Sequence, residues 1–248
     1  MGTGDETRPV DEETESFVDA LAALKRRGSA LLVVGAVPED AYRTASCVML
    51  GDADATPPRR RLLVTPHPGG PAIDDRLRKT GPVSPETAHV VTCADGARGT
   101  VADAATTDPF ASPATWQTPI TDPDVTGTSD EGPFGELGSA ISRSIESFVD
   151  ASGGLDPAEL RVAFDCLPSL VGRFDEETLF RFLHLLTSHV RLVSGMISVW
   201  LPQPRTDRLV RLLEPLFDAV VELRVNGVLT QRWEFRDSDV STDWFEFD

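Results

Sequence analysis

The sequence predicts an α/β protein with a mostly parallel sheet, helices on both faces of it and an antiparallel hairpin at its C-terminal end. Short continuous apolar runs such as Ala30–Val34 are typical of parallel strands that are buried on both faces. Amphipathic helical stretches separate these runs, which favours parallel strand connections. Near the C-terminus, Asn226-Gly227 joins two alternating segments and is a strong hairpin signal.

The elements follow from spacing and from end signals. Apolar residues three and four apart, together with capping residues, predict the helices. Helices are predicted over residues 12–27, 38–50, 134–151, 175–194 and 205–217. Strands are predicted over residues 30–34, 61–65, 89–93, 160–164, 196–201, 219–225 and 229–235.

Three regions divide the chain. Residues 1–10 are polar and are expected to be disordered, and residues 11–236 form one domain. Residues 103–133, rich in Pro, Asp, Thr, Ser and Gly, predict a long loop within that domain. Residues 237–248 form an acidic tail with three aromatic residues, Trp244, Phe245 and Phe247.

The charge is strongly acidic. Forty Asp and Glu residues stand against 23 Lys and Arg residues, and the net charge is −17. Only Lys25 and Lys79 are lysines, a composition typical of the cytosol of salt-loving archaea, where salt screens the self-repulsion. No basic face is evident, so nucleic acid is not an expected partner.

Neither a membrane span nor a signal peptide is expected, since there is no run of eighteen apolar residues and the first residues are polar and acidic. The three cysteines, Cys47, Cys93 and Cys166, lack the spacing of a disulfide framework or of a zinc site. They are interpreted as reduced, buried thiols of a cytoplasmic protein. Cys47 and Cys166 have no evident partner residue in the sequence.

The stretch from Gly35 to Tyr42 follows a strand and enters a helix, where a phosphate-binding loop would read G-x-x-x-x-G-K-[S/T]. Asp40, Ala41 and Tyr42 stand where that pattern has glycine, lysine and the hydroxyl residue. These changes remove a cation, add an anion and crowd the metal position. Asp40 or Glu39 is expected to cap the partial positive charge of the helix N-terminus, and the loop is interpreted as a relic that binds no cofactor.

Four segments in succession resemble RecA-like nucleoside triphosphatases of the KaiC-like branch, and in particular the divergent members of haloarchaea. They are ALLVVGAVPEDAY, LRVAFDCLPSLVGRFDEETLFRFLHLL, SGMISVWLP, and LEPLFDAVVELRVNG with QRWEFRD, and the resemblance covers residues 12–236. The resemblance places Asp165 at the magnesium-binding aspartate. The family's paired glutamates after the second strand are missing here. His67 lies in that position and is interpreted as an exposed loop histidine.

The preferred hypothesis is a non-catalytic pseudo-ATPase that acts as a regulator or scaffold through protein contacts, either with a partner or by self-association. Asp165 is then expected to cap a turn, so that Asp165→Asn would be tolerated. Trp244, Phe245 and Phe247 are the candidate contact residues, unless the tail folds back on the sheet edge or the cleft. An atypical ATPase that uses Arg43 and Asp165 remains an alternative, as does a DNA-associated recombination relative.

Overall fold

The computed structural model describes residues 8–66, 71–93, 134–238 and 240–247. These residues form an α/β fold around one eight-stranded sheet with the order β3-β2-β4-β5-β1-β6-β7-β8. The strands are β1 (Ser29–Val34), β2 (Arg60–Thr65), β3 (Ala88–Thr92), β4 (Leu160–Phe164), β5 (Met196–Leu201), β6 (Ala219–Asn226), β7 (Val228–Phe235) and β8 (Phe245–Glu246).

The sheet is parallel from β3 through β6, and β7 and β8 continue it in antiparallel pairing. This arrangement confirms the predicted fold class. All six residues of β1 and of β5 are buried, as expected for strands covered on both faces.

Helices cover the two faces of the sheet. The helices are α1 (Arg8–Arg27), α2 (Glu39–Leu50), α3 (Pro71–Lys79), α4 (Gly135–Ser152), α5 (Leu167–Leu170), α6 (Glu176–Leu192) and α7 (Arg208–Leu213). Apolar residues of α4 to α7 pack against one face of the sheet, and those of α1 to α3 pack against the other. Adjacent residues of β1 point to opposite faces of the sheet. Leu32 packs in the core with α4 to α7, whereas Leu31 packs in the core with α1 and α2.

Some predicted boundaries are wrong. Helix α1 begins at Arg8, so residues 8–10 are helical rather than disordered, and Pro9 lies in the first turn, where its missing N–H is tolerated. The predicted helix 205–217 is shorter, because α7 ends at Leu213 and a 3-10 helix with Pro215 follows. Residues 1–7 and the predicted loop at 103–133 lie outside the described residues.

The tail belongs to the fold. Strand β8 pairs with β7 through Thr230–Glu246 and Gln231–Phe245. Because β8 covers the exposed edge of β7, the tail completes the sheet rather than following a finished core.

Within the described ranges, no helix is long and apolar enough to cross a membrane.

Candidate functional site

The carboxyl ends of β1, β4 and β5 meet at one edge of the sheet, because these strands are parallel neighbours. A cleft of about 340 Å³ lies at this edge. Side chains from α2, α3, β5 and the end of β4 line it, among them Tyr42, Arg43, Arg76, Asp165 and Trp200. Two of the predicted relic positions, Tyr42 and Asp165, are therefore brought together.

Gly35 follows β1 with a φ of +127°, a conformation that favours glycine. A Cβ atom at this position would lie 2.3 Å from the carbonyl oxygen of Leu223 in β6. The Gly35 N–H donates to the carbonyl of Gln203 at 2.9 Å, and the Val37 N–H donates back to the carbonyl of Gly35 at 2.9 Å. Glycine is required here by close strand packing, and these two amides are bonded within the protein.

Helix α2 begins at Glu39, directly after Pro38, and no side chain caps its first turn. Neither Glu39 nor Asp40 therefore caps the helix by a hydrogen bond, although both lie in its first turn, where a negative charge favours the helix N-terminus. The Asp40 side chain is 87% exposed and forms an ion pair with Arg43 on the helix surface. Asp40 does not line the cleft. The next residue, Ala41, is half-buried and has no ionisable group that could replace the lysine of a phosphate loop. Arg43 is thus engaged by a neighbour on its own helix.

Tyr42 is 2% exposed and lies between the helix and the sheet. Its ring stacks on Trp200 with the ring centres 4.1 Å apart. Its hydroxyl donates to Oδ1 of Asp165 at 2.5 Å. Burial, followed by the charge of Asp165, raises the pKa of Tyr42 well above its ordinary value, so the phenol is held in its neutral, donating form.

Arg76 of α3 supplies the second partner of Asp165. Its Nη1 lies 2.5 Å from Oδ2 of Asp165, and its Nη2 donates to the hydroxyl of Ser46. The guanidinium also lies 5.6 Å from the ring centre of Tyr42. Burial lowers the pKa of Arg76, but the charge of Asp165, the neighbouring Tyr42 and the hydrogen bond to Asp165 together more than offset burial, so the pKa lies above its ordinary value.

Asp165 does not cap a turn. Helix α5 begins after Cys166 without any side-chain cap, and the two carboxylate oxygens of Asp165 accept from Tyr42 and Arg76 instead. Asparagine would lose the charge that pairs with a buried guanidinium, so we now expect Asp165→Asn to destabilise the fold. We name this buried set of Tyr42, Arg76 and Asp165 the cleft cluster.

Arg76 carries no signal in the sequence, because only the order of the strands brings α3 next to the end of β4. His67 lies outside the described residues. Nowhere in the described part of the chain do three or more His, Cys, Asp or Glu residues form a group that could hold a metal ion.

The three cysteines are thiols rather than disulfides, and one has a partner that the sequence did not reveal. Cys93 follows β3 and Cys166 follows β4, and both strands pair with β2. Burial, followed by a hydrogen bond with Cys93, raises the pKa of the Cys166 thiol. The interpretation of Cys166 as a core thiol stands, whereas the expectation that it lacks a partner is wrong.

The tail residues predicted for partner contact are half-buried within the protein. Trp244 lies against two guanidinium groups, that of Arg224 at 4.0 Å and that of Arg232 at 5.1 Å from its ring centre. Phe245 meets Phe17 of α1 edge to face, with ring centres 5.6 Å apart, and Phe247 packs against the same core. The alternative in which the tail folds back over the sheet edge is therefore correct.

The fold and the cleft define an α/β protein with a cluster of buried, mutually bonded side chains at the carboxyl ends of its parallel strands. Residues 28–223 match the model of a family of unknown function, DUF7504. The match covers most of the chain, so the protein belongs to this family. None of the curated proteins compared with the sequence matches it.

Proposed function

We propose that this protein is a RecA/KaiC-like pseudo-ATPase, a non-catalytic regulator or scaffold of the cytoplasm that acts through protein contacts. The observation that carries the proposal is the cleft cluster. Where the resemblance implies a magnesium-binding aspartate, Asp165 has both oxygens bonded to side chains of the protein.

Three further features support the absence of nucleotide chemistry. Tyr42 stands at the position that a metal-binding hydroxyl would have, and its large ring is fixed by stacking on Trp200. Gly35 approaches β6 closely, and its amide is bonded to the carbonyl of Gln203. A phosphate loop needs such amides free to point at the phosphates.

An atypical ATP-binding protein is the competing proposal, because Arg43 and Arg76 both line the cleft. Arg43, however, pairs with Asp40, and the charge of Arg76 is matched by Asp165. For Asp165 to hold magnesium, the pair with Arg76 would have to break inside a buried cluster. The pseudo-ATPase proposal requires no such rearrangement.

Contact with another protein, or with a second copy of the chain, is the mode of action that we infer. The aromatic tail packs within the fold, so we infer that the protein contacts are made by other surfaces. Helix α6 exposes Leu185 and Leu192 by 63% and 83%, which makes them the first positions to vary. Light scattering of Leu185→Glu and Leu192→Glu against wild type at equal salt tests self-association through this helix.

Calorimetric titration with ATP and magnesium in about 1 M potassium chloride, where charge repulsion is screened, tests the central part of the proposal. We expect no binding with a dissociation constant in the millimolar range or tighter. Saturable binding at micromolar concentrations would support the competing proposal. Arg43→Gln is the matched variant, since the competing proposal predicts that it weakens binding.

A further inference from the structure

A second cavity, of about 300 Å³, lies on the face of the sheet that α1 and α2 cover. Its walls come from α1, the end of α2, the strands β1, β4, β5 and β7, and the tail. Most of the lining is apolar and includes Phe17, Leu21, Trp233 and Phe245. A cavity of this size is at the small end of the range for ligand sites in proteins.

Arg161 of β4 lines this cavity and is only 7% exposed. Its Nε donates to the carbonyl of Ala158 at 2.9 Å, and its Nη1 lies 2.8 Å from the sulfur of Met196. No carboxylate of the described residues forms an ion pair with it. A buried guanidinium that bonds only one carbonyl and one thioether is poorly compensated.

The other two buried arginines of the described residues, Arg61 and Arg76, bond more oxygen acceptors, although the Nε of each has no partner. Arg76 has the carboxylate of Asp165 and the hydroxyl of Ser46, and the half-buried Arg60 has the carboxylate of Glu159. Arg61 lacks a carboxylate but donates to three oxygen acceptors, the carbonyls of Leu77 and Pro82 and the hydroxyl of Thr80. Arg161 differs from both, because among the described residues a single carbonyl is the one oxygen that accepts from its guanidinium.

Two more cations line the same cavity, Lys25 from the end of α1 and Arg59 from the segment before β2. Burial, followed by the charges of Arg161 and Arg59, lowers the pKa of Lys25. Burial, followed by the charge of Arg59, lowers the pKa of Arg161 to about 10. Asp52 lines the cavity as well, yet it forms no ion pair with any of the three in the described structure.

We propose that this cavity binds a small organic carboxylate with an apolar body, whose charge lies against Arg161, Lys25 and Arg59. A carboxylate would supply the acceptors that the Arg161 guanidinium lacks and would reduce the repulsion among the cations. The ring and aliphatic walls would cover the apolar body. In a chain with a net charge of −17, a cavity lined by three cations and one carboxylate, Asp52, is a local reversal of the overall charge.

Titration of the full chain with octanoate tests the proposal. Calorimetry measures the binding, and the total tryptophan fluorescence reports on it because Trp233 lines the cavity. We expect saturable binding by the wild type and a rise in thermal midpoint with octanoate concentration. Octanamide has the same chain without the charge and should bind about tenfold more weakly or worse, since hydrogen bonds to charged groups are the stronger ones.

The two lysines of the chain provide a matched pair of variants. Lys25→Gln should weaken octanoate binding severalfold, whereas Lys79→Gln, which alters an exposed pair with Asp75, should leave it unchanged. Arg161→Gln should weaken it most, and circular dichroism verifies that this variant is folded. Absence of octanoate binding, equal binding of octanamide, or equal effects of the two lysine variants would overturn the proposal.

Discussion

Replacement of Arg76 by methionine tests the cleft cluster most sharply, because it removes the charge and keeps an unbranched apolar stem. The side chains of Arg76 and Asp165 are only 5% and 14% exposed. Loss of one partner from a buried ion pair leaves an uncompensated charge, which typically costs about 3–5 kcal/mol. Asp165 keeps its bond to Tyr42, so we expect the free energy of unfolding to fall by about 3 kcal/mol.

A double variant separates the loss of the pair from simple loss of packing. Arg76→Met with Asp165→Asn removes both charges and leaves an amide oxygen that can accept from Tyr42. Its cost should be smaller than the sum of the two single costs by about 2 kcal/mol, a coupling typical of residues in direct contact. Additive costs would refute the idea that the two charges stabilise each other.

Arg43→Met is the control on the surface. Its partner Asp40 is 87% exposed, so the change should cost no more than about 1 kcal/mol. Urea unfolding in about 2 M potassium chloride gives the change in unfolding free energy for Arg76→Met, Asp165→Asn, the double variant and Arg43→Met. The comparison requires that the free energy depends on urea concentration with the same slope in each. Equal effects of Arg43→Met and Arg76→Met would contradict the account of the cleft cluster.

Four further outcomes are expected. Gly35→Ala should cost more than about 1 kcal/mol in urea unfolding, because its Cβ would clash with the Leu223 carbonyl in a left-handed conformation; an unchanged midpoint would contradict this. Truncation after Arg236 should lower the thermal midpoint by several degrees, since it removes β8 and its aromatic contacts; an unchanged midpoint would show that the tail is dispensable to the fold. His89 stacks on Phe148, and its Nδ1 has no partner in the described structure. Burial lowers the pKa of His89. The contribution of His89 to the free energy of unfolding is therefore fully present above about pH 6.5 and is lost as the pH falls from there. His89→Phe should lose less stability than wild type on acidification from about pH 7.5 to about pH 5.5, and equal losses would refute this assignment. The thermal midpoint of the wild type should rise between about 0.1 and about 3 M potassium chloride, and a flat response would contradict the halophilic interpretation of the charge.

The sequence predicted the central strands well, because β1, β4 and β5 are continuous apolar runs with clear ends. Helices α3 and α5 and strand β8 were missed. They have nine, four and two residues, and β8 exists only through pairing with β7. Elements this short depend on tertiary contacts more than on local pattern.

The candidate site was predicted in part. Tyr42 and Asp165 were singled out as relic positions, but their hydrogen bond depends on where β1 and β4 lie in the sheet. Arg76 could not be found, because an arginine in a short helix has no distinguishing spacing. Gly35 was interpreted through phosphate chemistry, whereas the structure shows that β6 passes too close for any other residue.

The most direct measurement of the central claim is crystallographic. Crystals grown with ATP and manganese, in salt, would reveal any bound metal by its anomalous signal. The account predicts no manganese at Asp165, with Tyr42 and Arg76 still bonded to its two oxygens. A manganese ion at about 2 Å from an Asp165 oxygen, with Arg76 displaced toward a phosphate, would contradict it.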